Sequence, residues 1–382
     1  MSIRIGLVSF ILLMTYIFIL PVTLYHYFLG NWPYMYSLIY NGMSIVAIFI
    51  VITFKDKINL FDIIPLSIFI LMFIVIMADY FFLGKSYVVF YDNTSVLIRA
   101  FTLYIIGRSV TFSQKHYYLV LTSFVIFVIT IFLNLGDSLR IFLDFEGSGV
   151  YLFLGDTFAM LSLLLLTNNY NNYNNYNNYN SLDLVIFVLS IFVLFLIGSR
   201  ASLFVYLAVS SLYFFKRLNY VKLALTLLII FSIIIVFIVN NNIVIDDDRM
   251  FSVVTGNLEN DNSQISRVLQ NKLGINDISD NILFGSYANQ YYSLDSPGSY
   301  IHNILSYYRQ FGLIVFILII YSLLFACKIF FDYFVLSHSK IEAYIPYLSL
   351  FIVLECIFFR SYNAAHLWLA IGLLSNYSKG IK

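Results

Sequence analysis

The chain has 382 residues, of which 61% are hydrophobic and 11% charged, and its formal net charge is +1. A soluble domain carries about 25% charged residues, and a chain of this length has too little interior to hide so many apolar runs from water. The composition therefore excludes a soluble globular protein and indicates a polytopic membrane protein. The near-neutral charge gives no indication of a nucleic-acid partner.

Apolar segments of membrane length recur along the whole chain and predict an all-α fold with about 12 transmembrane helices. In chain order they cover residues 5–25, 36–54, 60–83, 93–112, 117–135, 150–167, 184–198, 201–215, 221–240, 309–331, 343–359 and 363–377.

Basic residues set the expected orientation of these segments. They follow the second, fourth, eighth, tenth and twelfth segments, and Arg4 precedes the first. The positive-inside rule then places both termini in the cytoplasm. The chain divides into helices 1–9 in residues 1–240, with a cytoplasmic Asn/Tyr loop at 168–183, a large external loop at 241–306, and helices 10–12 in 307–382.

The external loop at 241–306 is the one long polar stretch of the sequence. A loop of this size is usually functional or disordered, and its apolar content favours function. The piece QISRVLQNKLGI (264–275) has apolar residues at helical spacing. Asp246–Asp248 forms a solvated acidic stretch, and no acidic pair stands at ligand spacing on this side. We therefore expect neither a metal nor another cofactor.

Arg200 lies in an apolar run from Leu184 to Phe215. One helix of this run would be about 48 Å long, against a hydrocarbon core of ~30 Å. The run must break, and Gly198-Ser199-Arg200 suits a tight reversal. Arg200 would then lie at headgroup depth beside a helix N-terminus, where the guanidinium and the backbone N–H groups both favour an anion such as a lipid phosphate.

Further cations on the same side of the membrane are Arg267, Arg309 and Arg360. Arginines grouped in this way suit a pyrophosphate. His302, with Asn303 beside it, ends the external loop at the membrane surface. A neutral imidazole there can accept a proton from a hydroxyl.

We single out four of the ionisable residues inside predicted spans, because such residues mark function by default. They are either ion pairs between helices or a proton path in a transporter. They are Asp79, Arg99, Asp156 and Glu355.

Three stretches resemble the O-antigen polymerase and ligase family. LFLIGSRASLFVYL (194–207) resembles the family's serine-arginine signature that opens a span. SRVLQNKLGINDISDNILFGSY (266–287) is similar to its arginine, amphipathic helix and "lfG" turn, and YIHNILSYYRQFGLIVFI (300–317) is similar to the stretch leading from the large loop into the next span. The three stretches come in the family's order.

The resemblance implies a metal-independent glycosyltransferase with a GT-C-like fold in the bacterial inner membrane. It implies that Arg200 and Arg267 bind the donor pyrophosphate and that His302 is the base or positions the acceptor. The substrate would be an undecaprenyl-pyrophosphate-linked oligosaccharide repeat, joined to others at the periplasmic face. The implied partners are membrane lipids and a chain-length regulator protein. The expected substrate-binding residues are Arg309, Arg360, Asn303, Ser199 and Tyr300.

Two alternatives to a polymerase stay open. An O-antigen ligase would use the same donor and transfer it to lipid A-core. A flippase for the same lipid-linked unit would depend on the four charges inside the spans and would need neither His302 nor the large loop. The absence of an internal repeat and of paired Gly/Pro-broken spans weakens this transporter alternative.

Overall fold

The computed structural model describes residues 2–23, 35–53, 60–83, 86–112, 116–133, 150–168, 181–215, 262–294, 301–335 and 342–380. Within these ranges the chain is helical and contains no strand. The described α-helices, numbered in chain order, are α1 (Ser2–Met14), α2 (Met35–Thr53), α3 (Leu60–Leu83), α4 (Tyr87–Ser109), α5 (Tyr117–Leu133), α6 (Val150–Asn168), α7 (Ser181–Ile197), α8 (Arg200–Phe215), α9 (Asn262–Asp280), α10 (Asn289–Leu294), α11 (Leu305–Phe334), α12 (Tyr344–Phe358) and α13 (His366–Gly380).

The apolar helices confirm an α-helical membrane protein. Among the described residues, four helical stretches are long and apolar enough to cross a membrane, judged by length and composition: Ile5–Thr23, Phe61–Phe82, Val150–Thr167 and Leu305–Phe334. Shorter apolar helices accompany them at Leu38–Thr53, Tyr117–Leu133, Leu182–Ile197, Arg200–Phe215 and Tyr344–Phe358.

Some of the sequence predictions fall outside the described residues. The ninth predicted span (221–240), most of the Asn/Tyr loop and most of the basic connections lie there. Of the loop assigned to 168–183, Asn168 ends α6 and residues 181–183 begin α7. Arg108 lies in the last turn of α4.

The predicted break in the run from Leu184 to Phe215 is confirmed. Helix α7 ends at Ile197, and α8 begins at Arg200. Gly198 between them has a φ of 77°, in the left-handed region that glycine adopts most easily. The break therefore puts Arg200 at the first position of α8.

The centre of the bundle is the pair formed by α4 and α13. The two helices approach closely at Gly107 and Gly372, where an added Cβ would meet the backbone of the opposite helix. Trp368 of α13 is fully buried beside them, and its ring centroid lies 4.3 Å from that of Phe69 in α3. This tight packing fixes the first turn of α13, which carries part of the candidate site.

A buried ion pair lies toward the C-terminal end of α13, away from its first turn. Arg108 donates from Nε to Asp62 Oδ1 and from Nη2 to Asp62 Oδ2, each at 2.6 Å. The Tyr104 and Ser375 hydroxyls also donate to Asp62 Oδ1, at 2.8 and 2.5 Å. The pair therefore joins α3, α4 and α13 through charge-assisted hydrogen bonds.

Replacing Asp62 by asparagine is expected to destabilise the protein by about 3–5 kcal/mol, because it leaves the Arg108 charge buried without its carboxylate. Unfolding of the purified protein in detergent measures the loss. The double variant Asp62→Asn/Arg108→Gln removes the unpaired charge as well and should recover part of the lost stability. A single variant as stable as the wild type would contradict this assignment.

Candidate functional site

A buried cluster of charged side chains lies at the other end of the bundle. Arg360 donates from Nε to Asp156 Oδ2 at 2.8 Å and from Nη2 to Asp156 Oδ1 at 2.5 Å. The same Nη2 lies 3.4 Å from Glu355 Oε1 and 3.3 Å from Ser202 Oγ. The guanidinium is thereby held in one orientation by residues of α6, α8 and α12.

The backbone around Arg360 explains why this side chain turns inward. Helix α12 closes where the N–H groups of Phe359 and Arg360 both donate to the Glu355 carbonyl, at 2.8 and 2.9 Å. A short turn follows, in which Ala364 N–H donates to the Ser361 carbonyl at 2.9 Å. The chain then enters α13 at His366, so one tight connection brings three cluster residues together.

The cluster contains donors that could ligate a metal ion. One ligand atom each from Asp156, Glu355 and His366 lie within 4.8 Å of one another. The sequence had predicted no acidic pair at ligand spacing, and the fold brings one together from distant helices. Glu355 Oε2 and His366 Nε2 have no hydrogen-bond partner among the described residues. The guanidinium already bound to Asp156 would compete with any metal ion there.

Helix α9, which belongs to the loop predicted to be external, is held against α11. Arg309 of α11 donates from Nε to Asp277 Oδ2 of α9 at 2.7 Å, and its side chain is buried. Gly274 of α9 packs against the Ile301 side chain. These contacts place α9 beside the segment that carries His302.

A chain of amide and phenol groups ties the same loop to the bundle. Gln310 donates to Gln290 Oε1 at 2.5 Å, and its own Oε1 accepts from Ala288 N–H at 2.8 Å. The Tyr362 hydroxyl donates to Asn93 Oδ1 at 3.0 Å, while Tyr362 N–H donates to Ser306 Oγ at 2.7 Å. The connection carrying Arg360 is therefore locked to both α4 and α11.

His302 lies within the electrostatic reach of two arginines. Burial, with the positive charges of Arg267 and Arg360, lowers the pKa of the His302 imidazole to about 4. Its ring is therefore neutral near pH 7, as a proton acceptor must be. Arg267 and Arg360, which the sequence predicted separately, thus both lie close enough to His302 to influence its charge.

Arg200 reaches the same region through its helix. It is the first residue of α8 and is half-buried. Ser202, two positions later, donates to Asp156 Oδ1 at 2.5 Å. The N-terminal turn of α8, with its partial positive charge, therefore adjoins the charged cluster.

The structure shows what four of the predicted substrate-binding residues contact within the protein. The charges of Arg309 and Arg360 are engaged by Asp277 and Asp156 in ion pairs. The fully buried Ser199 shares a 2.6 Å hydroxyl hydrogen bond with Ser202.

Asn303 Oδ1 accepts from Leu305 N–H at 2.9 Å, which satisfies a donor at the start of α11. Asn303 Oδ1 is therefore engaged within the protein, as is the Ser199 hydroxyl. Tyr300 lies outside the described residues.

The sequence missed how the cluster is assembled. Asp156 and Glu355 were left open between an ion pair and a proton path, and the structure supports the ion pair. His366 and Ser202 were not predicted as part of a site. Asp156 and Arg360 are 204 positions apart, and no pattern within either helix indicates which distant helix it contacts.

Comparisons with known proteins gave no match, whether to protein-family models, to curated proteins or to solved structures.

Proposed function

We propose that this chain is an O-antigen polymerase of the bacterial inner membrane, with twelve spans and a GT-C-like architecture. It would join undecaprenyl-pyrophosphate-linked oligosaccharide repeats at the periplasmic face. A neutral His302 under the influence of Arg267 and Arg360, with Arg360 in contact with Ser202 in the first turn of α8, is the observation that carries this proposal. A site for transfer from a lipid pyrophosphate needs cations and a proton acceptor in this combination.

In the proposed reaction, a hydroxyl oxygen of the acceptor repeat attacks the anomeric carbon of the donor chain. The bond from that carbon to the pyrophosphate oxygen breaks, and undecaprenyl pyrophosphate leaves with the electron pair. The hydroxyl proton passes to the His302 imidazole. Because pyrophosphate is already a good leaving group, the reaction requires no general acid.

Arg200 and Arg267 would hold the departing pyrophosphate. Two guanidinium groups can bind its oxygens bidentately, and the N-terminal turn of α8 adds N–H donors and a favourable dipole. Stabilisation of a developing anion by such fixed donors is usually the largest catalytic contribution. The substrate's lipid tail would remain in the bilayer while its pyrophosphate lies at headgroup depth.

Arg360 would act mainly through its neighbours. Asp156 and Glu355 hold its guanidinium in place, and its charge helps to keep His302 neutral. We therefore assign Arg360 as a positioning residue and not as a direct ligand of the substrate.

Helix α9 also offers acceptors for sugar hydroxyls. Gln270 Oε1 and Asn271 Oδ1 are buried oxygens without a hydrogen-bond partner among the described residues. Both follow Arg267 within a turn of the same helix. Unpaired buried oxygens are costly, and hydroxyl groups of a bound oligosaccharide would satisfy them.

A deletion strain tests the proposal against its two alternatives. Lipopolysaccharide and lipid-linked intermediates are separated on gels, with and without the wild-type gene restored. Loss of a polymerase leaves single repeats on the core. Loss of a ligase leaves polymer on undecaprenyl pyrophosphate, and loss of a flippase leaves single units on the cytoplasmic side, so either result would overturn the proposal.

The neutral state of His302 predicts a specific pH profile. Because its pKa is lowered to about 4, activity should change little between pH 8 and 5 and fall as the pH drops through the pKa. Replacing Arg267 by glutamine removes one of the charges that lower this pKa. The acid limb of the relative kcat/KM profile should therefore move to higher pH, whatever the residual rate.

Lys272→Gln is the matched control for that profile, because Lys272 is an exposed cation of the same helix. Its acid limb should coincide with that of the wild type. An Arg267→Gln limb that does not move would show that His302 is not the titrating base, and a wild-type limb already near 6.5 would show that the pKa of His302 is not lowered.

A further inference from the structure

Helix α9 has the reverse of the amphipathic pattern expected in water. Between residues 265 and 275, its exposed side chains are those of Ile265, Val268, Leu269, Lys272 and Ile275. Four of these five are large and apolar. A helix on a water-facing surface directs such residues toward the core and polar residues outward.

Several polar residues of α9 face the protein, while Asn276, Ser279 and Asp280 near its end are exposed. Arg267 acts on His302, Asp277 binds Arg309, and the side-chain oxygens of Gln270 and Asn271 are buried. One face of the helix therefore contacts polar groups of the protein, and its opposite face is apolar and exposed.

The turn after α9 extends the same apolar surface. Ile282, Leu283 and Phe284 are all exposed, and the Phe284 side chain has 82% of its surface accessible. Together with Ile265, Val268 and Leu269 of the helix, these three residues form what we call the α9 apolar surface. A continuous exposed patch of this kind marks an interaction site.

The turn is attached to a membrane-spanning helix at a defined level. Leu313 N–H of α11 donates to the Leu283 carbonyl at 3.1 Å. Gly285 and Gly312 both have positive φ angles, 72° and 78°, and an added Cβ at either would meet the backbone of the other segment. The turn and α11 are thus in direct backbone contact.

Gly312 divides α11 into two parts. The helix has 30 residues and is interrupted at Gly312. The part after the break, 313–334, is about 33 Å long at 1.5 Å per residue, close to the ~30 Å hydrocarbon core. Ile314 and Ile317, just inside this part, are exposed on its outer side. If this part of α11 crosses the hydrocarbon core, Leu283 and Phe284 are level with the boundary of the core.

We propose that the α9 apolar surface lies in the headgroup–acyl boundary of the phospholipid bilayer, on the side that carries the candidate site. Its continuity with the lipid-facing surface of α11 identifies the bilayer as the occupant. The exposed Lys272 would extend its ammonium group toward the lipid phosphates. Helix α9 then forms a wall between the lipid and the polar site, and this holds whether or not the protein is a polymerase.

Spin labels at single cysteines test this placement in the full-length protein, reconstituted into phosphatidylethanolamine–phosphatidylglycerol vesicles. The exposed Cys327 is first replaced by alanine, while Cys356 is buried. Labels are then placed by Val268→Cys, Leu269→Cys and Phe284→Cys. Ile314→Cys serves as the lipid-facing reference, and Glu342→Cys, exposed between α11 and α12, as the aqueous reference. Collision of each label with oxygen and with a water-soluble nickel chelate is measured.

The three labels should collide with oxygen in preference to the nickel chelate, as the Ile314 label does. Preference for the chelate, as at residue 342, would show that the surface faces water and would overturn the placement. Low collision with both reagents would show that protein covers it, and would overturn the placement in favour of a protein contact. Each label is read without any assay of activity, so the result is independent of the proposed reaction.

Discussion

Replacing Arg200 by alanine is expected to lower polymer formation by about 10²–10³-fold, the effect of removing one well-placed donor from a developing anion. The site would lose the guanidinium at the first position of α8, where the helix dipole also favours the pyrophosphate. The rate is measured as repeat units joined per enzyme in vesicles, at equal protein levels.

Arg200→Lys separates geometry from charge in that measurement. Lysine keeps the positive charge but not the planar pair of donors, so partial activity is expected. Lys272→Ala removes an exposed cation from the lipid-facing side of α9 and should leave the rate near that of the wild type. Long polymer produced by the Arg200→Ala variant would remove this arginine from the mechanism.

Replacing His302 by alanine is expected to reduce kcat by about 10²–10⁴-fold, the usual contribution of a general base. The KM for the lipid-linked donor should change little, because the imidazole acts on the acceptor hydroxyl. Steady-state kinetics with the same lipid-linked repeat distinguish the two parameters.

His116→Gln is the matched control for this variant. His116 stacks on Phe10 at a centroid distance of 4.0 Å, just before α5 and away from the charged cluster. Its replacement should leave kcat unchanged. A His302→Ala enzyme that keeps its kcat but has a raised KM would show that His302 binds substrate and does not accept the proton.

Local features of the fold were predictable because they depend on neighbouring residues. The apolar runs gave helices close to the observed α3, α6 and α8. The excess length of the run from Leu184 to Phe215 required a break, and Gly198 supplied it. The helical spacing in 264–275 predicted α9. Each of these inferences needs only a period or a length.

The assembly of the site was not predictable in the same way. Arg309 was expected to bind substrate, yet Asp277, 32 positions earlier, holds it. Asp156 and Arg360 meet only because α6, α8, α12 and α13 pack at one end of the bundle. A single sequence does not indicate which faces of its apolar helices pack together. The charged residues could therefore be identified as candidates, but their ion-pair partners could not.

The exposed side of α9 shows a similar limit. Its apolar residues have helical spacing, and that spacing does not indicate what the apolar face contacts. Pairing of Arg309 with Asp277, and the backbone contact between Gly285 and Gly312, turn the polar side inward. Tertiary contacts, and not the local spacing of apolar residues, determine which face of α9 contacts the protein.

The most direct test of the proposed function is a reconstitution with purified protein in phospholipid vesicles. Undecaprenyl-pyrophosphate-linked single repeats are added, and products are resolved by mass spectrometry. The account predicts chains of two or more repeats on one lipid, with one undecaprenyl pyrophosphate released for each bond formed. Both products should form at least about a hundredfold more slowly with the Arg200→Ala or His302→Ala variants. Repeats that remain single with the wild-type protein, or that cross the bilayer without being joined, would contradict it.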